Sequence, residues 1–130
     1  MVAVLAIEQQ TGVYIAYPTS PLLKSIYRPG KYKTMVNDQH TKVGIAKSSF
    51  ASRCKVYVDN FDNEVEFIPI AIVPLKQLVE AERLVLSAIH QKYTKVGRAR
   101  EWFNTSERQE IVEIIGATLA KSGIEYERIS

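Results

Sequence analysis

Cysteine is almost missing from this 130-residue sequence, since Cys54 is the single one. One cysteine cannot form a disulfide within the chain, so a disulfide framework is excluded. The same scarcity is typical of proteins of a reducing cytoplasm, and we expect a cytoplasmic location. Cys54 itself is expected to be a small packed side chain rather than a nucleophile.

Long hydrophobic runs, repeats and low-complexity segments are also missing. The longest apolar stretch falls far short of the roughly 20 residues that cross a bilayer, so we expect no membrane association. Met1–Ile7 is apolar but has no basic flank and no small-residue cleavage site, and we expect no signal peptide. An apolar fraction of 46% is enough for one core. We therefore expect a single domain over residues 1–130.

Acidic residues are scarce in two segments, although the net charge is only +3. Residues 24–55 contain eight basic residues and one acid, Asp38, and residues 83–100 contain five basic residues and no acid. Such segregation suits a polyanion, because cations that neutralise phosphates release counterions. Two solvated faces of a mildly basic protein would produce the same pattern.

The first half of the chain predicts strands around a long loop. Val2–Ile7 and Val13–Tyr17 are β-rich and can form a hairpin. Residues 18–40 are interrupted by proline and glycine and predict an irregular loop, with a short helix possible at Leu22–Tyr27. Val43–Ala46 predicts a short strand.

The middle of the chain predicts a helix, a strand and a longer helix. Ser48 or Ser49 can cap the first helix, which should run to about Val58. Glu64–Val73 alternates and predicts a strand, which Pro69 places at an edge or a bulge. The long helix should cover Leu75–Tyr93, with a helically spaced apolar stripe at Leu75, Val79, Leu86, Ile89 and Tyr93.

The last part predicts a basic turn and a C-terminal helix. Residues 94–100 form the turn around Gly97, and the helix covers residues 105–122, opened by a capping-box pattern at Ser106 and ended by Gly123. Ile124–Ser130 can add a strand. The order of elements predicts an α+β fold, in which a small antiparallel sheet of three to four strands is flanked by helices.

Four fragments occur in a suggestive order. Gly12-Val13-Tyr14 is followed by Lys42-Val43-Gly44, then by Arg53 and, eleven residues after His90, by Glu101-Trp102-Phe103. Together they resemble the GIY-YIG nuclease superfamily, especially its small phage and bacterial branch, over residues 12–103. That branch often has Lys-Ile-Gly as its second motif and carries a Glu-Trp-Phe triplet. The resemblance implies a three-stranded central sheet with helices on both sides.

The resemblance also implies metal-assisted hydrolysis of phosphodiesters. Tyr14 matches the tyrosine of the first motif, and Lys42 stands where the second motif tyrosine usually stands, where a lysine can act as a base or bind phosphate. Arg53 would bind the phosphate through its guanidinium fork, and Tyr57 lies one turn later on the same helix face. For each of them the plainer alternative is an ordinary packed or solvated side chain.

The family's metal-binding glutamate has no direct counterpart here, because its expected position, four residues before His90, is Leu86. Glu82 lies one turn earlier on the same stripe, and we expect it to hold Mg²⁺ or Mn²⁺ as the catalytic carboxylate. His90 is expected to pack or to contact DNA. Trp102 and Phe103 are expected in the core, and Glu101 is expected to cap the turn or pair with Arg98 or Arg100.

DNA, preferably duplex, is the expected partner, in a bacterial or phage-infected cell. The residues expected to bind it lie in the basic segments: Lys24, Arg28, Lys31, Lys33, Lys95, Arg98 and Arg100. A metal-dependent endonuclease is the favoured function. The alternatives are a degenerate member of the same fold that binds nucleic acid without cutting it, and a protein-interaction module whose motifs match by chance.

Overall fold

The computed structural model describes residues 6–26 and 34–129. Within these ranges the strands are β1 (Gly12–Pro18), β2 (Lys24–Ile26), β3 (Thr34–Val36), β4 (Thr41–Ala46), β5 (Val65–Ile72), β6 (Lys95–Val96), β7 (Ala99–Phe103) and β8 (Glu127–Arg128). The helices are α1 (Phe50–Asn60), α2 (Leu78–His90) and α3 (Arg108–Ser122), with 3₁₀ turns at Ile7–Gln9 and Leu75–Gln77.

Six of the described strands form one antiparallel sheet in the order β6-β7-β4-β1-β5-β8, while β2 and β3 pair separately. The α+β class is confirmed, but the predicted three to four strands are too few. The strand possible at Ile124–Ser130 is present as β8, and the additional strands, β6 and β7, have only two and five residues. Such segments are too short to show hydrophobic alternation in the sequence, so they are recognised as strands only by their pairing with longer strands.

The buried strand β1 separates two cores. Val13 and Ile15 pack towards one face with residues of α2 and α3. Tyr14 and Ala16 pack towards the opposite face with residues of α1. Neighbouring strand residues point to opposite faces, so helices cover both sides of the sheet and Tyr14 lies on the α1 side.

A bulge in β5 accommodates Pro69. Val13 pairs with Ala71 whereas the next residue, Tyr14, pairs with Pro69, so Ile70 is the extra residue of the bulged strand. Proline has no N–H for a regular ladder, and bulges are places where it is tolerated. The predicted position of Pro69 at an edge or bulge is confirmed.

The segment predicted as an irregular loop or short helix contains a hairpin instead. Lys24–Ile26 pairs with Thr34–Val36 in antiparallel register, which corrects both the loop over residues 18–40 and the helix at Leu22–Tyr27. Three-residue strands are too short to show alternation. The predicted N-terminal hairpin falls largely outside the described residues, and Ile7 opens a 3₁₀ turn.

The apolar stripe of α2 differs from the predicted one. Leu75 and Val79 are 60% and 66% exposed, and the fully buried positions are Leu78, Ala81, Val85 and Ile89. The helix begins at Leu78 after a 3₁₀ turn, so Leu75 lies outside it, and α2 packs on the core through the face of Leu78, Val85 and Ile89 and not through that of Val79. Glu82 consequently lies beside the buried stripe.

The C-terminal helix is capped differently from the prediction. Residue 107 is the N-cap and makes no side-chain cap bond, while Thr105 Oγ1 accepts a hydrogen bond from the Glu107 N–H at 2.9 Å. The capping box at Ser106 is therefore wrong. Gly123 ends α3 in the left-handed conformation with φ of 77°, as predicted. No helix within residues 6–26 and 34–129 is long and apolar enough to cross a membrane.

Candidate active-site cleft

A cleft of about 480 Å³ lies where β4, α1, α2 and β7 meet. Strand β7 pairs with β4 only at Thr41 and Lys42. Beyond that pairing, β4 contributes cleft-lining residues that include Gly44 and Ile45. The sequence-predicted residues that line the same cleft are Tyr14, Lys42, Arg53 and Glu82, and Glu101 lines it as well.

Two tyrosines and an arginine form a hydrogen-bonded group between β1 and α1. The hydroxyls of Tyr14 and Tyr57 are 2.7 Å apart, and Arg53 Nε donates to the Tyr14 hydroxyl at 3.2 Å. Arg53 and Tyr57 lie one helical turn apart, so both face β1. The Tyr14 ring stacks on Phe67 at a centroid distance of 4.5 Å. Packing therefore holds the three polar groups in one arrangement.

Both phenols are neutral at neutral pH. Burial raises the pKa of Tyr14, and its hydrogen bonds to Arg53 and Tyr57 offset this only in part. Burial also raises the pKa of Tyr57, as does the neighbouring Tyr14. The Tyr14 hydroxyl can accordingly donate and accept hydrogen bonds, which suits the orientation of a water molecule.

Gly44 makes room for the Tyr14 hydroxyl. The two residues are paired across β1 and β4, and a Cβ at position 44 would lie 2.5 Å from Tyr14 Oη and 2.7 Å from Cζ. A non-bonded contact of a Cβ at that distance is a steric clash, so the ring or the strand would have to move. A glycine is therefore required at position 44, because any side chain there would displace Tyr14.

Lys42 forms an ion pair with Glu101, which connects β4 to β7. The lysine side chain is only 7% exposed and the glutamate 33%. This partner of Glu101 was not among the sequence-based expectations. The two residues are 59 positions apart, and their proximity depends on the register in which Lys42 pairs with Trp102.

Glu82 reaches the cleft from α2, whereas Leu86 does not line it. Leu86 instead packs, half-buried, against the core beneath the helix. Burial raises the pKa of Glu82, and so does the negative charge of Glu101, while Lys42, Lys47 and Arg53 oppose the shift. The carboxylate is therefore close enough to the cationic side chains of the cleft to interact with them.

The donor set fits a sparsely ligated divalent ion. Among the described residues, no group of three or more His, Cys, Asp or Glu side chains converges on one point, so this part of the protein contains no cage for a metal. Mg²⁺ is commonly held by one or two carboxylates together with water and substrate phosphates. Glu82 would be the carboxylate of such a site, since it lines the same cleft as the cations Lys42, Lys47 and Arg53.

The residues expected to bind DNA are distributed unevenly. Lys95 and Arg100 line a wider groove of about 1260 Å³, which adjoins the cleft through the shared Glu82 and Glu101. Arg98 is exposed on the same β6–β7 hairpin. Lys24 lies away from the cleft, where it pairs with Asp62 at 3.2 Å. The remaining three, Arg28, Lys31 and Lys33, lie outside the described residues.

His90 and the Trp-Phe pair are packed. Trp102 and Phe103 are 3% and 0% exposed, which confirms that they are core residues. His90 lies 4.8 Å from the Phe103 ring, centroid to centroid. Its Nε2 atom is buried and has no hydrogen-bond partner within the described part of the chain. His90 also lines the wider groove. Its contact with DNA stays a prediction.

Comparison of the chain with protein-family models, with curated proteins and with solved structures finds no match.

Proposed function

We propose that this protein is a metal-dependent DNA endonuclease of the GIY-YIG type, which hydrolyses phosphodiester bonds. The observation that supports the proposal most is the convergence of Tyr14, Lys42, Arg53 and Glu82 on one cleft. These residues come from β1, β4, α1 and α2. Their residue types match what the reaction needs: a group that orients water, cations for the phosphate, and a carboxylate for the metal.

Tyr14 has the geometry to orient the attacking water. Its hydroxyl is held by Arg53 Nε and by the Tyr57 hydroxyl, and its neutral state lets it both donate and accept. Because the ring is stacked and buried, the oxygen has little freedom. A water bound to it would therefore be held in one orientation towards the phosphate.

Arg53 and Lys42 supply positive charge to the phosphate. The guanidinium has five N–H donors, so it can bind a phosphate oxygen while Nε stays on Tyr14. Charge on the non-bridging oxygens rises during the attack, and fixed donors placed there lower the barrier. A Mg²⁺ or Mn²⁺ ion held by Glu82 and phosphate oxygens would supply Lewis-acid stabilisation of the same charge.

Glu82→Gln tests the proposal, since it removes the carboxylate charge with little change in shape. We expect wild type to cut plasmid DNA with Mg²⁺ and not with chelator, and Glu82→Gln to lose at least about 100-fold in rate. Binding of uncut DNA should stay the same or tighten, because a negative charge near the phosphate is lost. A folded Glu82→Gln protein that cuts like wild type would remove Glu82 from the site.

Glu80→Gln is the matched control for that experiment. Glu80 lies two residues earlier on α2, pairs with Arg83 on the surface and does not line the cleft. We expect this variant to cut like wild type. Equal losses in both variants would point to damage to α2 and not to a missing metal ligand.

A nucleic-acid-binding relic is the second candidate, and the core packing of Leu86 favours it. That residue stands where the resemblance places the metal ligand, yet it is half-buried against the core. An inert wild type, combined with Mg²⁺-dependent cutting by Leu86→Glu, would support this reading. DNA as partner and a cytoplasmic location in a bacterial or phage-infected cell belong to both proposals.

A further inference from the structure

The ion pair between Lys42 and Glu101 is the most buried charged contact of the described residues. An ammonium that is 7% exposed would be costly without a partner. Glu101 supplies the partner from the Glu-Trp-Phe triplet, directly before Trp102, whose side chain is buried. The Glu101 carboxylate is therefore held in place, because the next residue of its strand, Trp102, is packed in the core.

The pair also lies where two cavities meet. Lys42 and Glu101 line the active-site cleft, and both also line a second cavity of about 350 Å³. Arg53 lines both cavities as well. The ammonium is therefore buried by the protein and still borders the space in which a phosphate would bind.

We propose that Glu101 is a positioning residue that holds the Lys42 ammonium as a fixed phosphate-binding cation, so that Lys42 does not serve as the base that deprotonates water. The inference rests on the proposed nuclease function. The sequence alone left both roles of Lys42 open, and its contact with Glu101 distinguishes them.

Lys42 could act as a base only after it had lost its proton and its ion pair with Glu101. A base needs a free lone pair, but an ammonium that donates to a carboxylate has none. Release of its proton would leave the half-buried Glu101 carboxylate beside a neutral amine. The other charged side chains that line the same cleft are Lys47, Arg53 and Glu82. The carboxylates of Glu101 and Glu82 favour a cation at position 42, and Glu101 contacts the ammonium directly, whereas Lys47 and Arg53 oppose it.

The charge balance of the cleft agrees with this role. Its cations are Lys42, Lys47 and Arg53, and its anions are Glu82 and Glu101. Three positive charges against two negative charges leave a net charge of one positive. Neutral Lys42 would reduce this to zero and weaken the attraction for a phosphate.

The first test needs neither DNA nor catalysis. Proton–nitrogen NMR of lysine side chains detects ammonium groups that exchange slowly because they are buried and paired. We expect one such signal that is absent in Lys42→Met, lost or shifted in Glu101→Gln, and retained in Glu110→Gln. Glu110 is the matched control, since it pairs with Lys92 and is 37% exposed, close to the 33% of Glu101.

The second test separates turnover from binding. In Glu101→Gln we expect kcat to fall by about 10-fold to 100-fold, as for a misplaced catalytic group, while DNA affinity measured with Ca²⁺ is unchanged or higher. Lys42→Arg should keep kcat within about tenfold of wild type, because arginine stays charged. Lys42→Met should lose more than about 100-fold.

Each outcome bears on the inference. A folded Lys42→Arg protein as inert as Lys42→Met would identify Lys42 as the base and overturn it, as would wild-type kcat in Glu101→Gln. If Lys42→Arg fails to fold, the Glu101→Gln result decides alone. A wild type that never cuts would overturn the proposed nuclease, whereas the NMR and binding measurements would still report whether Glu101 holds Lys42.

Discussion

At the scale of single residues, the cleft depends on groups whose ordinary behaviour is changed by their neighbours. Tyr14 is buried and hydrogen-bonded, so it stays neutral and has one orientation. Burial raises the pKa of Glu82, because its carboxylate is only partly solvated. Gly44 has no side chain, and this absence is what lets the Tyr14 hydroxyl reach the cleft.

Gly44→Ala should damage the site through Tyr14. The added methyl would lie 2.5 Å from Tyr14 Oη, so either the ring or β4 must move. We expect a loss of about 1–3 kcal/mol in the free energy of unfolding, as for other overpacked sites, and a loss of cleavage. Urea unfolding and a cleavage assay measure the two effects.

Gly116→Ala is the control for that substitution. Its Cβ would lie 2.6 Å from an Arg128 guanidinium nitrogen, the far end of a flexible side chain that can move aside. Gly116 lies inside α3, where alanine is favoured by about 0.5–1 kcal/mol. Unchanged or increased stability is expected, and a loss equal to that of Gly44→Ala would contradict the steric account.

The raised pKa of Glu82 predicts how stability depends on pH. Burial is the main cause, so the folded state binds the Glu82 proton more tightly than the unfolded state does. At neutral pH the carboxylate is then a destabilising charge, and this penalty disappears as pH falls through the raised pKa. Glu82→Gln should be more stable than wild type at neutral pH.

The difference between the two proteins should shrink on acidification. Urea unfolding without metal, at a series of pH values from neutral to mildly acidic, measures it. In the proposed site, the carboxylate form of Glu82 that would hold the metal should be lost over the same pH range, which lies above that of an exposed glutamate. A stability difference that does not change with pH would show that Glu82 titrates normally.

At the scale of elements, α1 is the part that presents Arg53 and Tyr57 together. It begins after Ser49, whose side chain accepts a hydrogen bond from the Ser52 N–H at 3.0 Å. The N-terminus of the helix therefore lies at the cleft, with Ser49 and Ser52 in its lining. Fraying of this end would disturb the helix turn that carries Arg53.

Ser49→Ala should cost about 1 kcal/mol of unfolding free energy, the usual cost of a lost N-cap. Ser106→Ala is the matched control, because the capping box expected there is not formed and Thr105 accepts the bond from Glu107 instead. We expect it to change stability little. Thermal or urea unfolding distinguishes them, and a larger loss for Ser106→Ala would contradict the assignment of the caps.

At the scale of the whole molecule, one side of the protein joins the cleft to the wider basic groove. Glu82 and Glu101 line both cavities, so the two adjoin, and in the proposed nuclease a DNA strand would pass from one into the other. Lys95 and Arg100 lie along this groove. Folding thus brings basic side chains of residues 83–100 together along one groove.

Binding to DNA should be strongly salt-dependent. Each phosphate contact on duplex DNA contributes a slope of about −0.9 to log K against log salt, so Lys95→Gln and Arg100→Gln should each reduce the slope by about one contact. Lys121→Gln, in the last turn of α3, is the control and should leave the slope unchanged. Fluorescence anisotropy at several salt concentrations measures it, and equal slopes for all variants would exclude a groove contact.

Several features of this protein follow from the sequence alone, because they depend on local chemistry. The β-rich run Val13–Tyr17 is enough to predict β1, and a serine ahead of residue 50 predicts the start of α1. Proline predicts the bulge at Pro69, and glycine predicts the end of α3 at Gly123. The four fragments in order are also enough to single out Tyr14, Lys42 and Arg53, and Glu82 follows from its position one turn before Leu86.

Only the tertiary structure decided the rest, because it depends on contacts between distant parts of the chain. The short strands β2, β3 and β6 have no hydrophobic pattern of their own and are formed through pairing. The buried face of α2, which leaves Glu82 at the cleft, is set by packing in the core and not by apolar spacing alone. The Lys42–Glu101 pair spans 59 positions, and it depends on strand register, which one sequence cannot specify.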